Sequence, residues 1–272
     1  MHVNKELRKL QRQLLLKCIF CTTPLFLLAL FFLISIKYES ILLICFILTC
    51  LIMIVPISIF NDKFSTLVIK NYILPYMKEN FCESISFDKD NSKNYKPDSQ
   101  PLNYSWGTYF NSWKDITNVI SGIINGINYK IADANTRAYF CGFRFTNFYG
   151  QIIEINYNTA FDNEIFIAPQ KIYNKNFSID YQLNKDFLVK GHVVYTKNGN
   201  IEYNQLQFIK NFIENYNKNM YIHITQNKIL IMIASNNSLL NQFNLFYIKE
   251  YNYDKLHKIF DLIKSLHEKQ LG

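Results

Sequence analysis

Charge is missing from two stretches near the start of this sequence. Cys18 to Ile36 holds no Asp, Glu, Lys or Arg, and neither does Ser40 to Asn61; only Lys37, Tyr38 and Glu39 separate them. A charge-free apolar run of ~20 residues is no ordinary solvated helix, and it matches the length that crosses a bilayer core. Glycine and proline are scarce, at 8 and 6 of 272 residues. Neither a Walker A pattern nor G-x-G-x-x-G occurs, so no glycine-rich loop cradles a phosphate. Ser121-Gly122 and Asn125-Gly126 read as turns instead. H-E-x-x-H is absent, and His2, His192, His223, His257 and His267 are scattered. Cys18 and Cys21 form a C-x-x-C pair with no second pair or histidine cluster, which falls short of a zinc set. No metal, no cofactor and no disulfide framework is expected.

What is present defines a helical hairpin. A helix satisfies its own backbone donors and acceptors, which lipid cannot do. Pro24 is expected in the first two turns of its helix, where a missing N–H costs little, and Pro56 about one turn before the exit. A signal peptide is disfavoured because no small-x-small site precedes Lys37 and a second run follows at once. Lys5, Arg8, Lys9, Arg12 and Lys17 precede the first run, Lys63, Lys70 and Lys78 follow the second, and Lys37 alone lies between. Basic flanks favour the cytoplasmic side, so two spans with both termini cytoplasmic are predicted.

The formal charge is +8, from 29 basic and 21 acidic residues. Half of that excess belongs to residues 1–17, and no dense basic cluster follows. Without a basic patch or reading motif, no nucleic-acid partner is expected. The lipid bilayer, with anionic lipid or a protein partner, accounts for the flanks.

Four segments result: 1–17, a basic cytoplasmic N-terminus; 18–61, the transmembrane hairpin; 62–103, a juxtamembrane helix and polar linker; and 104–272, a cytoplasmic domain. Phe64, Leu67, Val68, Ile69, Tyr72 and Ile73 recur at helical spacing, with Pro75 expected to kink or end that helix. Glu83 to Asn103 reads as a loop. Strands are predicted over 128–140, 143–157, 164–169 and 191–196, with Asn198-Gly199 as a turn dipeptide. A hairpin is expected at 221–225 and 229–234, and an edge strand at 245–248. Helices are predicted over 205–216, with Asn204 as cap and Gln207 at the capping-box position, and over 254–269. Two one-sided helices need a surface to cover, and the sheet supplies it. The fold class is α+β: a two-helix hairpin, then a mostly antiparallel sheet covered by two amphipathic helices.

Residues 118–140, containing Ile-Ser-Gly-Ile-Ile-Asn-Gly, followed by Cys141-Gly142-Phe143-Arg144-Phe145 and Phe148-Tyr149-Gly150, carry a resemblance. The chain resembles the domain of unknown function 3137 family, a group of bacterial membrane proteins. The resemblance implies an N-terminal membrane hairpin, a juxtamembrane helix and a bacterial inner-membrane location. It supplies no catalytic residue.

Candidate chemistry is thin. Asp133, Arg137, His192 and His223 are the polar set that acid–base work would need, provided they converge in one pocket. The plainer reading is a loop pair and two sheet histidines. His257 and Asp261 stand at i,i+4 and read as a solvent-side pair. Trp106 and Trp113 fit either core packing or a lipid interface. The function expected is a non-enzymatic binding or scaffold domain on the cytoplasmic face. The alternative is a membrane-associated enzyme acting on lipid or peptide through that polar set.

Overall fold

The structure, a computed structural model, describes residues 2–35, 41–89, 112–140, 143–156, 164–169, 182–189, 191–196, 207–216, 220–234, 245–246 and 253–270. The chain divides into two compact units. One is Met1–Pro75 with Gln242–Glu250; the other is Tyr76–Asn241 with Tyr251–Gly272.

The first unit is built on two long helices, α1 (His2–Ser35) and α2 (Ile41–Val68). Both exceed the uncharged runs. Helix α1 starts far upstream of Cys18 because Leu7, Leu14 and Cys18 form one buried stripe at helical spacing. The basic residues of 1–17 are therefore helical, and Pro24 stands in mid-helix rather than in the first two turns. The hydroxyls of Thr22 and Thr23 donate to the Ile19 carbonyl, at 3.2 and 2.7 Å, just ahead of that proline.

Helix α2 continues past Asn61, as the helical spacing from Phe64 to Ile73 predicts, and it does not break at Pro75. It passes into a π-helical turn (Ile69–Ile73) and then α3 (Leu74–Asn80). Leu74 N–H donates to the Ile69 carbonyl, five residues back, so an extra residue is taken up directly before the proline. The buried residues Phe64, Val68, Ile73 and Met77 step by four, five and four, and the wide turn keeps them aligned.

The second unit holds nine antiparallel strands among the described residues. These are β1 (Ser84–Asp88), β2 (Ser112–Ile124), β3 (Ile127–Phe140), β4 (Phe143–Asn156), β5 (Ile165–Pro169), β6 (Gln182–Val189), β7 (His192–Thr196), β8 (Met220–Thr225) and β9 (Lys228–Ala234). Their order is β1-β2-β3-β4-β9-β8-β5-β7-β6. Two helices follow the chain order, α4 (Gln207–Tyr216) and α5 (Asp254–Gln270). The α+β class with two long apolar helices and an antiparallel sheet is thus observed.

Several expectations differ in detail. β1 lies inside the stretch read as a loop, and alternates Ile85 and Phe87 inward with serines outward. β2 covers ground not read as strand, and Gly122 lies within it rather than at a turn. Asn125 and Gly126 do make the β2–β3 turn, both at positive φ (48° and 76°). Leu245 and Phe246 form a turn, not an edge strand. Gln207 donates its amide to Asn211 Oδ1 at 3.0 Å instead of closing a capping box. Asn198-Gly199, Asn204, Trp106 and Cys141 lie outside the described residues.

The central strands β5, β8 and β9 are buried on both faces. Ile131, Ile153, Ile231, Ile222 and Ile167 share one face, next to Tyr129 and Ile155 at neighbouring rungs. Helix α5 reaches this face through Phe260, whose ring meets Tyr129 edge-on at 5.6 Å. The buried Leu256, Ile259, Phe260, Ile263 and Leu266 line α5 at helical spacing, each contributing about 1.5–3 kcal/mol of burial. The other face carries Ala132, Ile152, Met232, Tyr221, Phe166 and Tyr195.

Candidate functional site

Asp133 sits on β3, opposite Gln151 of β4. Its carboxylate accepts a hydrogen bond from the Asn118 side-chain amide at 3.1 Å, and both residues are buried. Asn118 occupies an irregularity in β2 at φ 55°, and its backbone N–H donates to the Lys89 carbonyl. Asparagine tolerates that left-handed conformation better than most residues. The arrangement pins a bulge.

His223 lies on β8 in the rung of Leu230, Glu154 and Lys130, which places it on the face opposite Asp133. Its Nε2 is 2.6 Å from Glu164 Oε1, and its ring stands edge-on to Phe166 with centroids 6.3 Å apart. On the same face Lys228 pairs with Glu154 at 3.2 Å. His192 falls on β7 opposite Pro169, on the Asp133 face. It stands five strand spacings from Asp133, roughly 24 Å across the sheet. Arg137 lies on β3, and its side chain is outside the described residues. The structure therefore separates Asp133, His192 and His223. Glu164, missed by the sequence reading, is the group actually joined to His223; no spacing signal marks a pair 59 residues apart.

His257 does not pair with Asp261. Its Nε2 lies 2.8 Å from the Tyr76 hydroxyl, and its ring meets Phe81 edge-on at 4.8 Å. Phe81 stacks on Phe260 at 4.6 Å, and Lys264 Nζ stands 5.2 Å over Phe81. Asp261 instead lines a groove of about 200 Å³ between α4 and α5, with Asn211, Asn215, Lys258 and Ser265. Lys258 Nζ donates to the Asn215 carbonyl at 2.8 Å.

Beneath that aromatic group, Cys82 and the Tyr129 hydroxyl share a hydrogen bond of 2.9 Å. Burial pushes both groups up from their ordinary values of 9.0 and 10.0. For the thiol, the tyrosine hydrogen bond and Lys264 offset only part of that rise. Pushed up by burial, the Cys82 thiol is held in its neutral form. The unfolded chain ionises first as pH rises past 9 and 10, so it binds fewer protons than the folded chain there. Stability from these groups is intact below pH 9 and declines above it. For Tyr129 alone the slope reaches about 1.4 kcal/mol per pH unit. Tyr129→Phe is expected to flatten the alkaline limb of a plot of unfolding midpoint against pH. An unchanged limb would show that Tyr129 ionises as easily folded as unfolded.

Set against these closed polar groups, the widest accessible feature is apolar. The large exposed hydrophobics among the described residues run from Leu16 to Ile59 on α1 and α2, with Phe246 as the single addition. Phe20 is 83% exposed, and only 11% and 6% of the most apolar windows of the two helices are buried. The core helix of a soluble protein would be mostly covered. Both helices are long and apolar enough to cross a membrane. Between them Thr49 is buried, its hydroxyl donating to the Cys45 carbonyl at 2.7 Å.

The class defined is an α+β protein with two helices of membrane-crossing length. No family model matches the chain, and no curated protein matches it; neither comparison supports the resemblance to the domain of unknown function 3137 family. Among solved structures the chain is similar to the mycobacterial trehalose monomycolate transport factor A, at 13% identity and a TM-score of 0.36. That match covers 68% of this chain and 88% of the other. A likeness this distant carries no weight for fold or function.

Proposed function

We propose that the chain is a membrane-anchored protein whose hairpin crosses the bilayer twice and holds a non-enzymatic binding or scaffold domain at the cytoplasmic face. The observation that carries this reading is the exposure of apolar side chains around α1 and α2, which water disfavours and lipid accepts. The basic residues before Cys18 and after Asn61 support a cytoplasmic location for both ends. The bacterial inner membrane rests on the resemblance described above. The binding surface suits anionic lipid or a protein partner. The enzyme reading required Asp133, Arg137, His192 and His223 to converge, and the separation of Asp133, His192 and His223 gives it no support.

The test is carbonate extraction combined with protease access. The full-length chain is expected to stay with the membrane pellet at alkaline pH. Its C-terminal portion is expected to resist protease added to intact cells and to be cut in inside-out vesicles. Release by carbonate, or cutting from outside, overturns the reading.

A further inference from the structure

Phe246 is the one exposed large hydrophobic among the described residues that does not belong to α1 or α2, and it is 54% exposed. Its neighbour Leu245 is 0% exposed, and its backbone is held from two sides. Leu245 N–H donates to Asn61 Oδ1 of α2 at 2.8 Å. Gln11 Nε2 of α1 donates to the Leu245 carbonyl, also at 2.8 Å. One side-chain amide from each helix thus satisfies one of the two backbone polar groups of a buried residue, each of which would otherwise cost about 1–3 kcal/mol. The segment Gln242–Glu250 belongs to the same compact unit as the hairpin.

The depth of this clamp can be read from the sequence. Asn61 ends an uncharged run, and Asp62 and Lys63 follow; Gln11 is succeeded by Arg12 and then Lys17 before the other run begins. Charge resumes at the same end of both helices, which is where apolar core gives way to headgroups. The clamped turn lies in a stretch reading Phe243, Asn244, Leu245, Phe246, Tyr247, Ile248, Lys249. Aromatic rings with a nearby lysine suit the boundary between acyl chain and water.

We propose that the Leu245–Phe246 turn is a third membrane-contacting element: Gln11 and Asn61 seat it at the base of the hairpin, and Phe246 enters the interfacial layer of the cytoplasmic leaflet. The inference rests on the membrane reading above. Its occupant is the bilayer, because the turn is hydrogen-bonded to the same two helices whose apolar side chains are exposed.

The experiment uses the full-length chain in phosphatidylcholine–phosphatidylglycerol vesicles. Trp106→Phe and Trp113→Phe remove the native indoles, and a single tryptophan is placed by Phe246→Trp or Leu51→Trp. Leu51 is ten residues from Asn61, about 15 Å along the helix and near mid-bilayer. Bromine on the acyl chains near the headgroup is expected to quench Phe246→Trp about twofold, and bromine near the chain ends less. Leu51→Trp should show the reverse order. Gln11→Ala with Asn61→Ala is expected to remove most of the Phe246→Trp quenching while leaving Leu51→Trp quenched. If Leu51→Trp is quenched and Phe246→Trp is not, the inference fails and the hairpin reading stands. If neither is quenched, the hairpin reading fails too. A blue-shifted Phe246→Trp without quenching means a protein contact, which also overturns the inference. Quenching unchanged after loss of both amides overturns the role of the clamp.

Discussion

Gly122→Val is expected to destabilise the sheet unit by about 3 kcal/mol, lowering its thermal midpoint by roughly 6–12 °C. The cause is local and steric. A Cβ at position 122 would stand 2.7 Å from the Tyr129 hydroxyl and 2.9 Å from its Cε1, and would press on the Ser84 carbonyl oxygen. Neither neighbour yields cheaply: Ser84 is bonded into β1, and Tyr129 is buried against Phe260 and tied to Cys82. Gly126 provides the control. Its φ is +76° and nothing lies within 4 Å of its added Cβ, so Gly126→Ala should cost only about 1 kcal/mol of backbone strain. Near-ultraviolet circular dichroism of the detergent-solubilised protein measures both. Equal shifts for the two variants would show that the close packing at Gly122 is not tight in solution.

Phe260→Ala is the second large effect, with an expected cost of about 3–5 kcal/mol. Phe260 is fully buried, stacked on Phe81 and edge-on to Tyr129, so its removal opens a cavity between α5 and the sheet. Gly122 and Phe260 act on the same tyrosine ring from two sides. Their double variant should therefore lose less than the two single losses combined, because the space left by Phe260 lets the Tyr129 ring move away from the added valine. Strict additivity in denaturant unfolding would break this account of the packing.

Where a residue's role came from its neighbours in sequence, it could be read in advance. Leu256, Ile259, Phe260, Ile263 and Leu266 repeat at helical spacing, and α5 lies where they place it. Met220–Thr225 and Lys228–Ala234 are apolar on both sides of Gln226-Asn227, and the β8–β9 hairpin follows. β2 was hidden because its irregularity at Asn118 shifts the inward phase between Ile116 and Val119. β1 was hidden because its two apolar residues sit within a polar stretch whose composition resembles a loop. Pro75 was expected to kink or end the helix, since nothing in the composition announces a π turn able to absorb it. The His223–Glu164 pair and the amide clamp on Leu245 join residues far apart in the chain. Strand register and helix pairing decide such meetings, and one sequence states neither.

The sheet's strand order also imposes a schedule on synthesis. β4 and β5 are not bonded to one another; each pairs with a strand of the hairpin formed by Met220–Ala234, which leaves the ribosome late. Until that keystone arrives, the nascent chain carries two open hydrogen-bonding rims on half-built sheets. Such rims invite pairing with neighbouring polypeptides. A polypeptide terminated before Met220 would keep both rims permanently, so truncated products of this gene should aggregate rather than persist as smaller folded species.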